Sequence, residues 1–335
     1  QTPSDGVITG YGTIDGSLVF VYSQDSTVLG GTIGEMHAKK ITGLYDLALK
    51  TGAPIIGLLD SAGLRLQEGT DALNAFASIY AKEAEASGVI PQIAAVFGNC
   101  GGGLAVAAGM ADFAFMADDA KLFVNSPNAL AGNSEDKKDT AAAGFKAEAG
   151  AVDAHGTEEE VLAKIRALVS ILPSNNEDEA AEECEDDLNR ASANVAAGIA
   201  DPAVAAADLS DGNLFVETRA EYAKEMATGF IKLNGETVGL IANRTASYDE
   251  KGETAAEFKP VLTVAGTEKA ADFVNFCDAF EIPVVTLTNV SGFCTCECAE
   301  KKIAKNAAKL AAAFAGATVP KVNVVVGDAF GSAYT

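Results

Sequence analysis

The chemistry this chain offers most clearly sits in a stretch almost free of reactive side chains, Val96-Phe97-Gly98-Asn99-Cys100-Gly101-Gly102-Gly103-Leu104-Ala105-Val106-Ala107-Ala108-Gly109. An apolar run from Gln92 to Phe97 passes into glycines and then into small residues of helical character. This predicts a buried strand, a tight turn and a helix start. A helix start presents unpaired N–H groups and the positive end of its dipole, and glycine lets a ligand come close to the backbone. The expected site is an anion or oxyanion site made of main chain. Tight packing of a helix on a strand would ask for the same small residues.

Side-chain catalysis has less to work with. His37 and His155 are the only histidines, too few for a three-histidine metal site, and both are expected at helix ends or on the surface. Six cysteines stand at 100, 184, 277, 294, 296 and 298. Cys294-x-Cys296-x-Cys298 has single-residue spacers rather than the usual zinc spacing, so no metal site is expected.

The elements that must carry the turn occur twice. Pro54, Ser61-x-Gly63, Pro91, Gly98 and Gly102 recur 229 positions later as Pro283, Gly292, Pro320, Gly327 and Gly331, with no gap. Each copy runs from a Pro-led apolar strand (Ile55 to Leu59; Val284 to Leu287) through a small-residue loop and a helix. A second Pro-led strand follows (Ile93 to Phe97; Val322 to Val326), then the turn. A unit this long means two homologous α/β domains rather than a solenoid. Val7 to Gly12 and Leu18 to Tyr22 around Ile14-Asp15-Gly16-Ser17 predict a hairpin, partly echoed at Phe230 to Leu233 and Val238 to Ala242 at another offset. Helices are expected over 33–50, 70–88, 267–280 and 300–315, and over 158–172 with a capping box from Thr157 and Glu160. Short strands are expected at 112–116 and 121–124. Residues 128–148 read as a mobile flap or loosely packed helix, and the acidic run 175–190 as a solvated boundary.

The 335 residues, 48% of them hydrophobic, suffice for two substantial cores. A formal net charge of −23 argues against a nucleic-acid partner, though basic residues and helix ends can hold a polyanionic cofactor locally. No uncharged apolar run is long enough to cross a bilayer, and there is no signal-peptide pattern. A cytoplasmic location is expected, with membrane association only through partner subunits.

Several longer motifs then resemble one family. They include Asp5-Gly6-Val7-x-Thr9-Gly10, His37-Ala38-x-Lys40-Ile41 and Asp60-Ser61-Ala62-Gly63-x-Arg65-x-Gln67-Glu68-Gly69. Others are Phe276-Cys277-Asp278-Ala279-Phe280-x-Ile282-Pro283, Ala317-Thr318-Val319-Pro320-Lys321-Val322 and Ala329-Phe330-Gly331-Ser332-Ala333-Tyr334. In this order they resemble the carboxyltransferases of biotin-dependent acyl-CoA carboxylases and decarboxylases, over nearly the whole chain and least over 128–215. The resemblance implies an α/β protein of two crotonase-like ββα superhelix domains. The expected bounds are 1–175 for an N-terminal domain on the acyl-CoA side and 212–335 for a C-terminal domain on the biotin side. An acidic linker spans 176–211, and the second domain is expected to be incomplete.

It also implies transfer of a carboxyl group between carboxybiotin, held on a separate carrier protein, and a short-chain acyl-CoA. Both partners develop charge on oxygen, and two turns suit two oxyanions. By family motif, Gly102 and Gly103 face the thioester oxygen, and Gly331, Ser332 and Ala333 face the biotin oxygen. Ser61, Ala62, Gly63 and Arg65 match the CoA-binding loop, and Gly292 and Phe293 the loop bordering biotin. Arg65 is the basic residue there for a CoA phosphate, with helix capping or an inter-subunit salt bridge as its alternatives. Thr335 borders the α-carbon pocket and favours a small acyl group. Relatives commonly have Val-Pro-Gly-Phe-Leu-Pro-Gly where this chain has Val290-Ser291-Gly292-Phe293-Cys294-Thr295-Cys296. Expected partners are a biotin carboxyl carrier protein, a biotin carboxylase or membrane decarboxylase subunits, and further copies of the chain, as a hexamer. A non-catalytic crotonase-like scaffold subunit is the competing reading.

Overall fold

The computed structural model describes residues 2–133, 138–187, 189–249 and 251–335. They form two compact units, divided between Asn176 and Glu177.

In the first unit, β1 (Val7–Ile14) and β2 (Ser17–Gln24) form the expected antiparallel hairpin, pairing Val7 with Gln24 and Ile14 with Ser17. Asp15 and Gly16 both take positive φ, the geometry whose twist matches that of the strands. β2 then pairs in parallel with β3 (Ile55–Ser61), which pairs with β4 (Gln92–Gly101). β5 (Phe113–Ala117), β6 (Lys121–Phe123) and β7 (Ala154–Gly156) complete a seven-stranded sheet. Residues Gln92–Val96 are all buried, as expected of a parallel strand covered on both faces.

Two helices connect the parallel strands. In α1 (Glu35–Thr51), His37, Ala38, Ile41, Leu44, Tyr45 and Ala48 form the buried stripe, and Gly52 closes the helix in the left-handed region. α2 (Thr70–Ala86) buries Ala72, Ala75, Phe76, Ile79, Glu83 and Ala86. Burying one such isoleucine contributes about 1.5–3 kcal/mol. Two of these residues are polar. His37 is fully buried in the first turn of α1, so a surface position does not apply. Glu83 is buried, its Oε2 meets no hydrogen-bond partner among the described residues, and burial pushes its carboxyl up to about 8.

α3 (Gly103–Met110) follows β4 directly. Within 128–148 the structure has a helix at Ala143–Glu148 with Ala143 and Ala147 buried, while 134–137 lie outside the described residues. The helix Glu158–Ile171 starts with the expected capping box: Glu160 N–H donates to Thr157 Oγ1 at 3.2 Å, and Thr157 N–H to Glu160 Oε2 at 2.8 Å.

In the second unit the sheet runs β16-β14-β10-β9-β8, from β8 (Val216–Thr218), β9 (Met226–Leu233), β10 (Glu236–Asn243), β14 (Val284–Val290) and β16 (Lys321–Ala329). Its main helices are Val264–Ala279 and Ile303–Gly316. Part of the segment 176–211 belongs to this core. The helix Pro202–Leu209, capped by Asp201, buries Ala205 and Ala206 beside Ile231, Leu240 and Leu287.

The repeat holds down to register. Ile55 pairs with Gln92 and Val284 with Lys321, each 229 positions apart, and both ladders break at the same step, after Leu59 and after Thr288. The hairpins correspond as well, at an offset of 219: Val7 with Gln24 becomes Met226 with Asn243. The bridge between Ile33 and Leu64 has its match in β13 (Val261–Leu262) pairing with β15 (Gly292–Phe293), back at 229. The second unit therefore carries ten extra residues between Asn243 and Leu262, and the short strands β11 (Ala246–Tyr248) and β12 (Thr254–Glu257) lie there.

Candidate active site

In the first unit, β4 runs straight into α3 through Gly102, at φ 59° and ψ −126°, a conformation essentially confined to glycine. Its neighbours are glycine for want of space. A Cβ on Gly103 would lie 2.9 Å from Tyr80 Oη and 3.2 Å from Phe76, and one on Gly101 2.7 Å from the Phe123 ring. Beside Gly102 itself there is open space, with no atom within 4 Å of the place a Cβ would take.

The N–H groups at this turn divide. Gly102 donates to Phe123 O at 2.9 Å, because β6 pairs with the end of β4 and takes up that donor. Of the two groups expected at the thioester oxygen, Gly102 N–H is thus committed within the protein. Gly103 N–H is the first of α3, and a helix leaves its first N–H groups without an internal acceptor.

The loop matched to CoA binding lies next to this turn. Ser61 pairs with Cys100, and a Cβ on Gly63 would be 3.7 Å from Gly101 O. Ser61 is buried and accepts the Gly63 N–H at 3.0 Å, while Ala62 N–H donates to Gly30 O. Arg65 is 6% exposed. Its Nη1 donates to Asp5 and to Glu68 at 2.8 and 3.0 Å, Nη2 to Asp5 O and Thr32 O, and Nε to Thr32 Oγ1. All five guanidinium N–H groups have protein acceptors, and although burial pulls its pKa down, the Asp5 and Glu68 carboxylates outweigh that and raise it. The structure commits Arg65 to tying the loop to the N-terminal segment, which leaves none of its donors for a phosphate.

Behind the turn is a relay that composition gave no reason to single out. Gln24 Oε1 accepts the Asp60 N–H at 3.1 Å, and Asp60 Oδ1 accepts the Asn99 N–H at 3.1 Å. Because Gln24 Oε1 must accept, its Nε2 donates to His37 Nε2 at 3.2 Å, and His37 Nδ1–H donates to Asp5 O at 2.9 Å. These partners require a neutral imidazole, and burial lowers the His37 pKa to about 4. The available signal was a polar residue, Asp60, at the end of an apolar strand, with Asn289 at its repeat position.

The second unit repeats the relay. Asn243 Oδ1 accepts the Asn289 N–H at 3.0 Å, and Asn289 Oδ1 accepts the Asp328 N–H at 2.9 Å. Gly331 has φ 58° and the same open space beside it, and Ser332 and Ala333 follow in the first turn of Gly331–Tyr334. A cavity of about 600 Å³ opens here, lined among others by Asn243, Thr288, Phe293, Ser332, Ala333 and Thr335. Gly292 pairs with Val261 just before Phe293. Each unit thus brings a loop and a helix start together at the carboxyl ends of parallel strands, and what both can do is stabilise negative charge on a ligand oxygen. Among the described residues no three His, Cys, Asp or Glu side chains are placed to hold a metal.

Comparison with known proteins gives this geometry a family. The carboxyl transferase domain matches residues 1–335. The chain is 38% identical to the propionyl-CoA carboxylase beta chain of Roseobacter denitrificans, covering 100% of this chain and 67% of that one. It is 36% identical to the methylmalonyl-CoA decarboxylase subunit alpha of Propionigenium modestum, covering 99% and 65%. It spans about two thirds of the length of these relatives. Transcarboxylase 12S, solved as a hexamer with hydrolysed methylmalonyl-CoA bound, superposes with a TM-score of 0.88 at 33% identity, covering 98% of this chain and 66% of that one. With the motifs, the duplicated ββα units and these relatives in agreement, the chain belongs to the carboxyl transferase domain family and has its crotonase-like fold.

Proposed function

We propose that this chain transfers a carboxyl group between carboxybiotin on a separate carrier protein and a short-chain acyl-CoA, of the propionyl-CoA and methylmalonyl-CoA class. The observation that carries the reading is the duplicated turn. Gly102 and Gly331 share a positive φ, an open approach and a following helix start, one for each of the two oxygens that become charged in such a transfer.

Gly103 N–H is the donor for the thioester oxygen in the first unit, with Ser61, Ala62 and Gly63 forming the wall beside it. In the second unit Ser332 and Ala333 N–H serve the biotin oxygen. The cavity lined by Phe293, with polar groups at Asn243 and Thr288, suits a ureido ring carried on an aliphatic chain. Biotin supplies the carrier of the carboxyl group, and this chain's own contribution is to orient the two partners and stabilise their oxyanions. Either direction, carboxylation or decarboxylation, uses the same groups.

The domain bounds expected from the motifs, 1–175 and 212–335, enter this reading as the acyl-CoA and biotin sides. The partners are a biotin carboxyl carrier protein, a biotin carboxylase or membrane decarboxylase subunits, and further copies of the chain in a hexamer. No helix among the described residues is long and apolar enough to cross a membrane, and a cytoplasmic location, with any membrane contact through partners, completes the proposal. By family motif Thr335 borders the α-carbon pocket and favours a small, methyl-branched acyl group, with one methylene worth about 1–3 kcal/mol.

The test is carboxyl exchange from malonyl-, methylmalonyl- and glutaconyl-CoA to free biotin by the full chain. Exchange that is fastest with malonyl- or methylmalonyl-CoA supports the reading. A preference for glutaconyl-CoA removes the small-pocket assignment, and absence of exchange from all three leaves the scaffold reading in its place.

A further inference from the structure

The loop after β15 departs from its counterpart in the first unit. Where that unit has Arg65, Gln67 and Gly69, this one has Cys294, Cys296 and Cys298, 229 positions on. Cys294 Sγ lies 3.6 Å from Cys296 Sγ. Cys294 is half-buried and Cys296 and Cys298 are exposed, whereas Cys100 and Cys277 are buried. Cys296 caps the helical turn Glu297–Glu300, its sulfur accepting the Ala299 N–H at 3.2 Å.

We propose that Cys294 and Cys296 form a redox-active dithiol that hydroperoxides convert to an intramolecular disulfide. The two sulfurs, 3.6 Å apart, are already neighbours, and a disulfide requires them to close to a bonded separation of about 2.05 Å. Cys296 is the attacking thiol. Hydrogen bonds from the Cys298 thiol, the Ala299 N–H and the Cys294 thiol lower its pKa, while its own pull on Cys298 raises that of the latter.

The Cys296 thiolate attacks the terminal peroxide oxygen, the O–O bond breaks, and the departing hydroxide, or the alkoxide of an organic hydroperoxide, takes up the thiol proton and leaves as water or alcohol. The resulting sulfenic acid is then attacked at sulfur by Cys294. An S–S bond forms, the S–O bond breaks, and the hydroxyl leaves as water with the Cys294 proton. Two thiols are oxidised and one peroxide is reduced. Cys294 N–H donates to Leu262 O, and Leu262 and Phe293 both line the cavity of the second unit. The bridge therefore forms at the rim of that cavity and fixes the loop there.

The experiment exposes the reduced full chain to hydrogen peroxide, then alkylates under denaturing conditions and maps the peptides by mass spectrometry. The expected product has Cys294 and Cys296 joined with the loss of two hydrogens, Cys298 alkylated, and full reversal by dithiothreitol. Cys298→Ser is expected to bridge as before, and the double variant Cys294→Ser with Cys298→Ser to stop at a sulfenic acid on Cys296 that dimedone captures. A bridge through Cys298, a first sulfenic acid on Cys294 or Cys298, or free Cys294 and Cys296 thiols after peroxide has oxidised other cysteines would each overturn the assignment. This readout is independent of carboxyl exchange.

Discussion

Asp60 Oδ1 accepts the Asn99 N–H at 3.1 Å across Gly98, and a Cβ on that glycine would collide with the same oxygen. Asn289 stands in the same relation to Asp328 and Gly327. One side-chain oxygen thus fixes the end of each turn-bearing strand, and the glycine beneath it is what gives the oxygen room.

Gly98→Ala is expected to destabilise the first unit by about 1–3 kcal/mol through overpacking. Asp60→Ala costs the Asn99 N–H its acceptor but vacates the space that the new methyl needs. The double variant should therefore lose less than the sum of the singles in a urea-denaturation cycle. Strict additivity would show that the oxygen and the glycine do not share one space.

Stability should vary with pH through two buried groups that act in opposite directions over overlapping windows. The His37 pKa is lowered to about 4, so its contribution is complete above the unfolded value near 6.5 and is lost as pH falls through that window toward 4, about 3 kcal/mol in all. Glu83 works in the other direction. Its pKa is raised to about 8, so its contribution is complete below about 4.5 and disappears as pH rises toward 8. Glu83→Gln, neutral throughout, should raise the urea midpoint at pH 8 and above and remove the fall between about pH 4.5 and 8. An unchanged slope across that window would place the titration elsewhere.

Arg65→Ala should leave Asp5 and Glu68 facing each other at a partly buried site without their cation. The expected loss is about 3–5 kcal/mol, and Arg65→Lys should recover only a fraction, since an ammonium cannot make the fork that reaches Asp5 and Thr32 together. Thermal denaturation of the three proteins decides. Full stability in Arg65→Ala, with a raised KM for acyl-CoA alone, would return the residue to phosphate binding.

At the second turn, Ser332→Pro deletes one N–H in the first turn of a helix, where proline removes no internal hydrogen bond. Carboxyl exchange with free biotin should fall in kcat by roughly 10²–10³, with circular dichroism unchanged. An undiminished kcat would remove Ser332 N–H from the oxyanion site.

The frame was legible because proline and glycine mark it. Pro54, Pro91, Pro283 and Pro320 each stand just before a parallel strand, and Gly102 and Gly331 at the turns. Family motifs added the assignment of the two turns to two oxygens. What patterning could not show was where each hydrogen bond goes. That Gly102 N–H is taken by Phe123, that Arg65 is saturated by Asp5, Glu68 and Thr32, and that His37 is buried all depend on segments distant in sequence meeting in space. The helix at Pro202–Leu209 escaped notice because its alanines carry little periodic contrast against an acidic, alanine-rich background.

The ten extra residues between Asn243 and Leu262 shift the offset from 219 to 229 and disturb neither ladder. That gap is a natural graft point. Lengthening a surface connection costs only about 0.6 kcal/mol per doubling in closure entropy, so a peptide tag or a fluorophore site could be spliced between β11 and β12 with both glycine turns left in register. The same latitude gives evolution a place to remodel the surroundings of the second site while the strands that build it stay as they are.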